Sequence, residues 1–358
     1  MSPFFSALRA AACCGLALLW GCSTPPAVSS SEPVGVVSRE TQRASASPAT
    51  DGPALRDRAV LGRNERMLLV RPQAGDTYAA LAQRYLGQSS SDWMIAEANR
   101  AAAPQAGVPL LVPLRPLNPT GVTADRIQTV PILCYHRFGS GTSKMVMSPT
   151  KFATQLDWLA RNGYRVIHLA ELGDFLAGRK ALPAKSVVIT FDDGYESVHR
   201  HAFPLLRQYG FPATLFVYTD FVGAGDALRW SQMKEMADSG LVDIQSHSKS
   251  HRNLIERLAG ETDERYRVNL TAEMQVPRDL IQRQLDGVKV RHIAYPYGDA
   301  NAAVTDAATR QGFELGATVV PGGNAFYAPP LLLRRTMIFG DIDLEAFKAK
   351  LQVSRALP

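Results

Sequence analysis

Cysteine is scarce in this 358-residue chain: four in all, three of them (Cys13, Cys14 and Cys22) within the first 22 residues. That excludes a disulfide-built scaffold. After residue 21 no apolar stretch is long enough to span a bilayer, which excludes a multi-span membrane protein. There is no long basic run either. The 39 Lys+Arg against 33 Asp+Glu leave a net charge of +6 that does not gather anywhere, so nucleic acid is not an expected partner. Hydrophobic residues make up 46% and charged residues 20%, a globular composition too apolar for a disordered chain. The length allows two domains, or one large domain with attachments.

What is present begins with an address. Arg9 precedes the apolar run Ala10–Trp20, so residues 1–21 read as a secretory signal peptide. Leu19-Trp20-Gly21-Cys22 resembles a bacterial lipobox, which implies cleavage before Cys22 and lipidation of its thiol. The membrane is then a partner through Cys22, because each buried acyl methylene contributes about 0.8 kcal/mol. Ser23 after the Cys, in place of Asp, implies the outer membrane, facing the periplasm. Only Cys134 then remains, so no internal disulfide is expected. It stands in the apolar run Val130–Cys134 and reads as a small core residue. Residues 22–66 are rich in Ser, Pro, Ala and Thr without a sustained apolar period and read as a tether. Fully extended, it would reach about 130 Å.

Residues 67–114 read strand, turn, helix, helix, strand. Gly75-Asp76 is turn chemistry, and Asp76 or Thr77 can cap a helix carrying Tyr78, Leu81, Ala82 and Tyr85. With Trp93-Met-Ile95, Asn99 and the closing Gly107–Pro113, the segment resembles a LysM module, which implies binding to N-acetylglucosamine chains. A small spacer that binds nothing is the plainer reading. Residues 115–128, with Pro116, Pro119 and Gly121, read as a linker.

From residue 129 to 358 apolar strand runs alternate with amphipathic helices about seven times. The pattern predicts an α/β fold, a distorted parallel barrel of about seven strands. A doubly wound open sheet is the alternative, but no Gly-x-Gly-x-x-Gly follows the first strand. Pro277 is expected to break or kink a long helix over 264–286, and a strand is expected over Leu331–Thr336.

Chemistry-bearing residues stand where strands end. Tyr135-His136 closes the first, Thr190-Phe-Asp-Asp-Gly194 the third, Ser246-His247-Ser-Lys-Ser-His251 the fifth and Tyr295-Pro-Tyr-Gly298 the sixth. Adjacent carboxylates in an extended segment point apart, so Asp192 and Asp193 are expected to differ in role. Asp-Asp-Gly alone is a common surface turn. His247 and His251, four apart, would share one side of a helical turn and could grip one metal, although a lone His-x-x-x-His is more often solvated. Together, one Asp and two His make a three-ligand set with an open position for water, and a second carboxylate beside it can take that water's proton.

These motifs resemble the polysaccharide deacetylase, or NodB-homology, domain of carbohydrate esterase family four. Cys134-Tyr-His136-Arg and Leu228-Arg-Trp230 match further family signatures. The resemblance implies metal-dependent deacetylation of N-acetylglucosamine units in an envelope or exported polysaccharide, either peptidoglycan or poly-N-acetylglucosamine. It implies Asp193, His247 and His251 as ligands of a divalent metal, zinc being favoured, with Asp192 as general base. Tyr295, Pro296, Tyr297 and Trp230 would flank the sugar, although barrel packing is an equal reading for Trp230. Two departures stand out. The family's Arg two residues before the third-motif Pro is Ala294 here, leaving Arg291 and Arg335 as candidates to orient the base. No His follows His292, so the late acid is missing and His136 is the candidate that replaces it. These departures leave a competing reading, a non-catalytic glycan-binding lipoprotein on a decayed barrel.

Overall fold

The computed structural model describes residues 59–100 and 103–357. The signal peptide, Cys22 and residues 22–58 of the expected tether lie outside the described residues.

The small N-terminal module contains β1 (Val60–Arg63), β2 (Met67–Val70), α1 (Tyr78–Leu86), α2 (Asp92–Asn99) and β3 (Leu110–Pro113). Its antiparallel sheet runs β1-β2-β3. Thr77 caps α1 by accepting the Ala80 amide at 3.1 Å, and left-handed Gly87 ends it. Asp76 instead accepts the Gln73 amide and pairs with Arg84. Asn99 ties α2 to β3: its amide group donates to the Leu111 carbonyl and accepts the Leu111 N–H. Leu68, Val70, Leu81, Ala82, Ile95, Leu110 and Val112 form a separate core. β1 corrects the expected tether boundary at residue 66. An edge strand this short needs only one inward apolar residue, and Val60 supplies it.

The large domain begins with β4 (Arg126–Gln128), inside the expected linker, and continues with β5 (Val130–Tyr135), β6 (Arg137–Phe138), β7 (Val146–Met147), α3 (Pro149–Arg161) and β8 (Arg165–Val166). Next come α4 (Leu169–Leu176), β9 (Ser186–Phe191), α5 (Phe203–Tyr209), β10 (Ala213–Val217), α6 (Trp230–Asp238), β11 (Val242–Ser246) and α7 (Asp263–Gln284). The chain ends with β12 (His292–Ala294), α8 (Ala302–Arg310), β13 (Leu315–Ala317), β14 (Gly323–Asn324), β15 (Thr336–Met337), α9 (Leu344–Ala349) and β16 (Ser354–Ala356).

The main sheet runs β13-β12-β11-β10-β9-β5-β14, with β15 added on β5 and β8 on β9. All of these pairs are parallel except β14 with β5. The sheet curls as the expected (β/α) barrel does. The Leu333–Met337 segment bridges its ends: Leu333 pairs with Ala317 on one side, and Thr336 and Met337 pair with β5 on the other. β16 pairs antiparallel with β4, so the C-terminal chain ties down the linker. Two local expectations fail. α7 runs unbroken through Pro277. The expected strand over Leu331–Thr336 is a 3-10 turn at Pro330–Leu332 followed by the later β15, because Pro329 and Pro330 carry no N–H for a ladder.

β5, β9 and β10 are buried on both faces, as parallel strands under helices are. Their side chains alternate between two cores. Leu133, Tyr135, Val187, Ile189 and Phe191 face the helices, whereas Val130, Ile132, Val188 and Leu333 fill the barrel. The same period of two carries Cys134, Thr190, Asp192 and Arg335 onto the interior side, above that apolar plug. The polar cluster thus sits at the C-terminal ends of the strands.

Candidate active site

Asp192 continues the interior side of β9, its amide donating to the Tyr135 carbonyl at 2.9 Å. Asp193 then turns left-handed, with φ 74°, and Gly194 follows at φ 87°. A Cβ on Gly194 would lie 3.0 Å from Val217 Cγ1, so both conformation and space call for glycine. The two carboxylates do take different partners, as expected, but through this turn and not through an extended segment.

Both oxygens of Asp192 accept from Arg335, each at 2.7 Å. Arg335 is fully buried, and its Nε donates to the Thr318 carbonyl. It is therefore the arginine that holds Asp192. Arg291 pairs with Glu314 at 3.4 Å, half-exposed. Burial works against the charge on Asp192, but Arg335 and then His247 outweigh it and hold the carboxyl at about 2.

Asp193 Oδ1 lies 3.3 Å from His251 Nε2 and 3.5 Å from His247 Nε2. Burial again opposes its charge, but the two imidazoles hold the carboxyl far below the usual carboxylate range. The His247–His251 segment is not the expected helical turn. Ser248 and His251 are left-handed, with φ 73° and 60°, and a tight loop converges the rings to 4.9 Å between centroids. His247 Nδ1 donates to the Ala294 carbonyl at 2.8 Å, which leaves Nε2 to face the carboxylates.

Glu273, on α7, pins that loop. Its oxygens accept the amides of Lys249 and Ser250 at 3.1 and 3.0 Å and the Ser250 hydroxyl at 2.6 Å. Sequence reasoning missed Glu273. The available signal is that it shares a buried helix face with Tyr266, Leu270, Met274, Pro277 and Ile281, where a carboxylate is out of place without a partner.

His136 reaches the same cluster: one of its ring nitrogens lies within 4.8 Å of Cys134 Sγ and an Asp192 oxygen. Burial lowers its pKa, against the pull of Asp192 and Asp193. Tyr297, left-handed and 62% exposed, packs edge-on against His251 at 5.0 Å. A Cβ on Gly298 would meet Val319 N at 2.5 Å, which fixes that turn as glycine. Tyr295 and Pro296 do not flank an open site. Both are buried, and the Tyr295 hydroxyl donates to the Leu331 carbonyl at 2.9 Å. Trp230 opens α6 and packs on the main core. A cavity of about 590 Å³ lies elsewhere, between the small module and the barrel, and none of these residues lines it.

The donors fit a divalent metal. Asp193, His247 and His251 bring one oxygen and two imidazole nitrogens within 4.8 Å of one another. Tetrahedral bonds of about 2.0–2.1 Å would set donors about 3.4 Å apart, close to the two observed O···N separations.

Residues 179–316 match the polysaccharide deacetylase family. YxkH of Bacillus subtilis (strain 168), described as a polysaccharide deacetylase, is 31% identical over 232 residues, 64% of this chain and 79% of YxkH. The chain belongs to the polysaccharide deacetylase family. Members are hydrolases acting on N-acetyl amide bonds, and so is this protein. The poly-beta-1,6-N-acetyl-D-glucosamine N-deacetylase of Staphylococcus aureus (strain MRSA252) is 28% identical over 199 residues, covering 52% of this chain and 67% of that one. The chain spans only 30% of the Escherichia coli (strain K12) enzyme of the same name. The solved structure of IcaB from Ammonifex degensii superposes with a TM-score of 0.56 at 31% identity, over 63% of this chain and 97% of IcaB. The deacetylase barrel therefore accounts for the fold, and Arg335 supplies beside Asp192 the guanidinium that Ala294 does not carry.

Proposed function

We propose that the protein removes acetyl groups from N-acetylglucosamine units of an exported poly-β-1,6-N-acetylglucosamine or a closely related polysaccharide, with Asp192 as general base. The observation that carries this reading is the two-point grip of Arg335 on Asp192 beside the Asp193–His247–His251 donor set. The named activities of the S. aureus and E. coli relatives support the choice of polymer.

Asp193, His247 and His251 would hold the metal, zinc best suiting one carboxylate and two imidazoles. When bound, such an ion polarises an acetamide carbonyl and acidifies water. The chain's own residues supply the rest. Arg335 keeps Asp192 ionised and aimed, so an Asp192 oxygen can take the proton of the attacking water. A carboxyl held at about 2 gives that proton up readily. His136, uncharged at rest because burial lowers its pKa, can accept the proton and deliver it to the leaving amine nitrogen as the C–N bond breaks. The Tyr297 amide, in its left-handed turn, would donate to the developing oxyanion. Acetate and a glucosamine unit leave.

A second reading, peptidoglycan as substrate, is favoured by the βααβ core of the small module with its Gly75-Asp76-Thr77 turn, if that module binds glycan as LysM modules do. In either reading a lipid at Cys22 would hold the protein to the outer membrane, facing the periplasm. The test is acetate release from both polymers in parallel. Release from poly-β-1,6-N-acetylglucosamine but not peptidoglycan supports the proposal, and the reverse pattern replaces it. Release from neither, with no bound metal, favours the non-catalytic lipoprotein.

A further inference from the structure

Cys134 is the one cysteine among the described residues, and no step of the proposed chemistry uses it. It is fully buried on the interior side of β5, and its thiol donates to Asp192 Oδ2 at 3.4 Å. His136 stands two residues further on. Cys134 Sγ, a His136 ring nitrogen and an Asp192 oxygen lie within 4.8 Å of one another. This is a sulfur, nitrogen and oxygen set that shares no residue with Asp193, His247 and His251.

Its spacing suits a small soft cation. With metal–sulfur and metal–oxygen bonds of about 2.3 and 2.0 Å, tetrahedral geometry separates sulfur from oxygen by about 3.5 Å. The observed separation is 3.4 Å. The place of the thiol proton would therefore take a cation with neither atom displaced. A thiolate also selects soft ions, whereas the Asp193–His247–His251 set offers no sulfur. Arg335 opposes a cation here. The thiol releases its proton on binding, however, so loading raises the local charge by one unit and not two, with Asp193 close by.

We propose that Cys134, His136 and Asp192 form a second, inhibitory site for a thiophilic divalent cation, zinc in excess by its size, for which the larger cadmium serves as a spectroscopic stand-in. One sulfur–metal bond forms as the S–H bond breaks. One proton passes to the buffer per cation bound, and no electrons are exchanged. The cation occupies the Asp192 oxygen that would otherwise receive the water proton, so hydrolysis stops. Binding does not depend on the roles given to Asp192 and His136, but the inhibition rests on the proposed function, with Asp192 as base and His136 as acid.

The test is a cadmium titration of the metal-loaded full chain, following bound metal by equilibrium dialysis and the ultraviolet cadmium–thiolate absorbance. Wild type is compared with Cys134→Val, which removes the sulfur and stays apolar, and with His247→Gln, which weakens the first site. Cys13, Cys14 and Cys22, where present, are common to all three and cancel. The expected result is one more cadmium per chain in wild type than in Cys134→Val. The matching thiolate band should be lost in Cys134→Val and kept in His247→Gln. Half-inhibition of wild type should need at least tenfold less cadmium than Cys134→Val. Equal stoichiometry in wild type and Cys134→Val overturns the site. The extra equivalent with undiminished turnover confirms the site and overturns the roles given to Asp192 and His136.

Discussion

Arg335 grips both carboxylate oxygens of Asp192 at 2.7 Å across 143 positions of sequence, and both groups are buried. A lysine cannot reproduce this fork, because its ammonium is a point charge. Arg335→Lys should fold and lower kcat by about a hundredfold, with a smaller change in KM. Arg335→Met leaves a buried carboxylate alone and should cost about 3–5 kcal/mol of stability. Acetate-release kinetics and thermal melts separate the two effects. Wild-type kcat in Arg335→Lys would show that the grip serves stability only.

Asp192→Asn keeps the shape of the side chain and loses the basic oxygen. Turnover should fall by about 10² to 10⁴ while one metal per chain is retained. Asp193→Asn should instead lose metal. Chelation should abolish wild-type activity, and added zinc should restore it. Metal analysis beside kinetics distinguishes the two aspartates.

The acid limit of activity should be set by metal binding and not by Asp192, whose carboxyl stays ionised to about pH 2. Burial alone would depress the His247 imidazole, but Asp192 and Asp193 outweigh it and raise its pKa above the ordinary value. Below that raised pKa the ring is protonated and cannot bind a cation; above it, Nε2 is available. Proton and cation therefore compete, and raising zinc within a sub-inhibitory range should move the acid limb of the rate profile to lower pH. A limb that ignores metal concentration would point to another group.

Glu273 orders the His247–His251 loop through three hydrogen bonds. Glu273→Gln can keep one oxygen for the two backbone amides but removes the charge and turns its other end into a donor facing the Ser250 hydroxyl. Metal affinity should drop by about 10- to 100-fold, the usual cost of losing an outer partner of a metal site. Excess metal should recover much of the rate, which dialysis and a metal-titrated assay would report.

The two tyrosines of the third motif should behave oppositely. Tyr297→Ala removes an exposed ring beside His251 and should raise KM with little change in melting temperature. Tyr295→Phe leaves the Leu331 carbonyl without its partner and should cost about 1–3 kcal/mol of stability.

Much of the barrel was legible because strand runs bounded by turn residues announce themselves, and the Asp192–Asp193 and His247–His251 spacings are distinctive. What escaped was conformational or long-range. Nothing in Ser248 or His251 signals a left-handed backbone, so the histidines looked helical. Arg335 was one of two candidates because its partner lies far away in the chain, although its place two residues after inward-facing Leu333 fits the strand period. Glu273 was hidden in a helix otherwise read for its apolar stripe. Tyr295 looked like a sugar platform until its burial and its bond to Leu331 were visible. The tether boundary failed because one Val is enough to seat an edge strand.

Asp92 of α2 pairs with Arg165 at the start of β8, and Glu97 accepts the Ala184 amide just before β9. The small module therefore docks at the strands' N-terminal ends, while Asp192 and its neighbours stand at the C-terminal ends. The length of β9, about 20 Å, lies between them. Any saccharide held by the small module is thus beyond reach of the reacting amide. Such a hold raises how often distant units of the same polymer meet the catalytic face, and leaves the choice of each amide to the barrel alone.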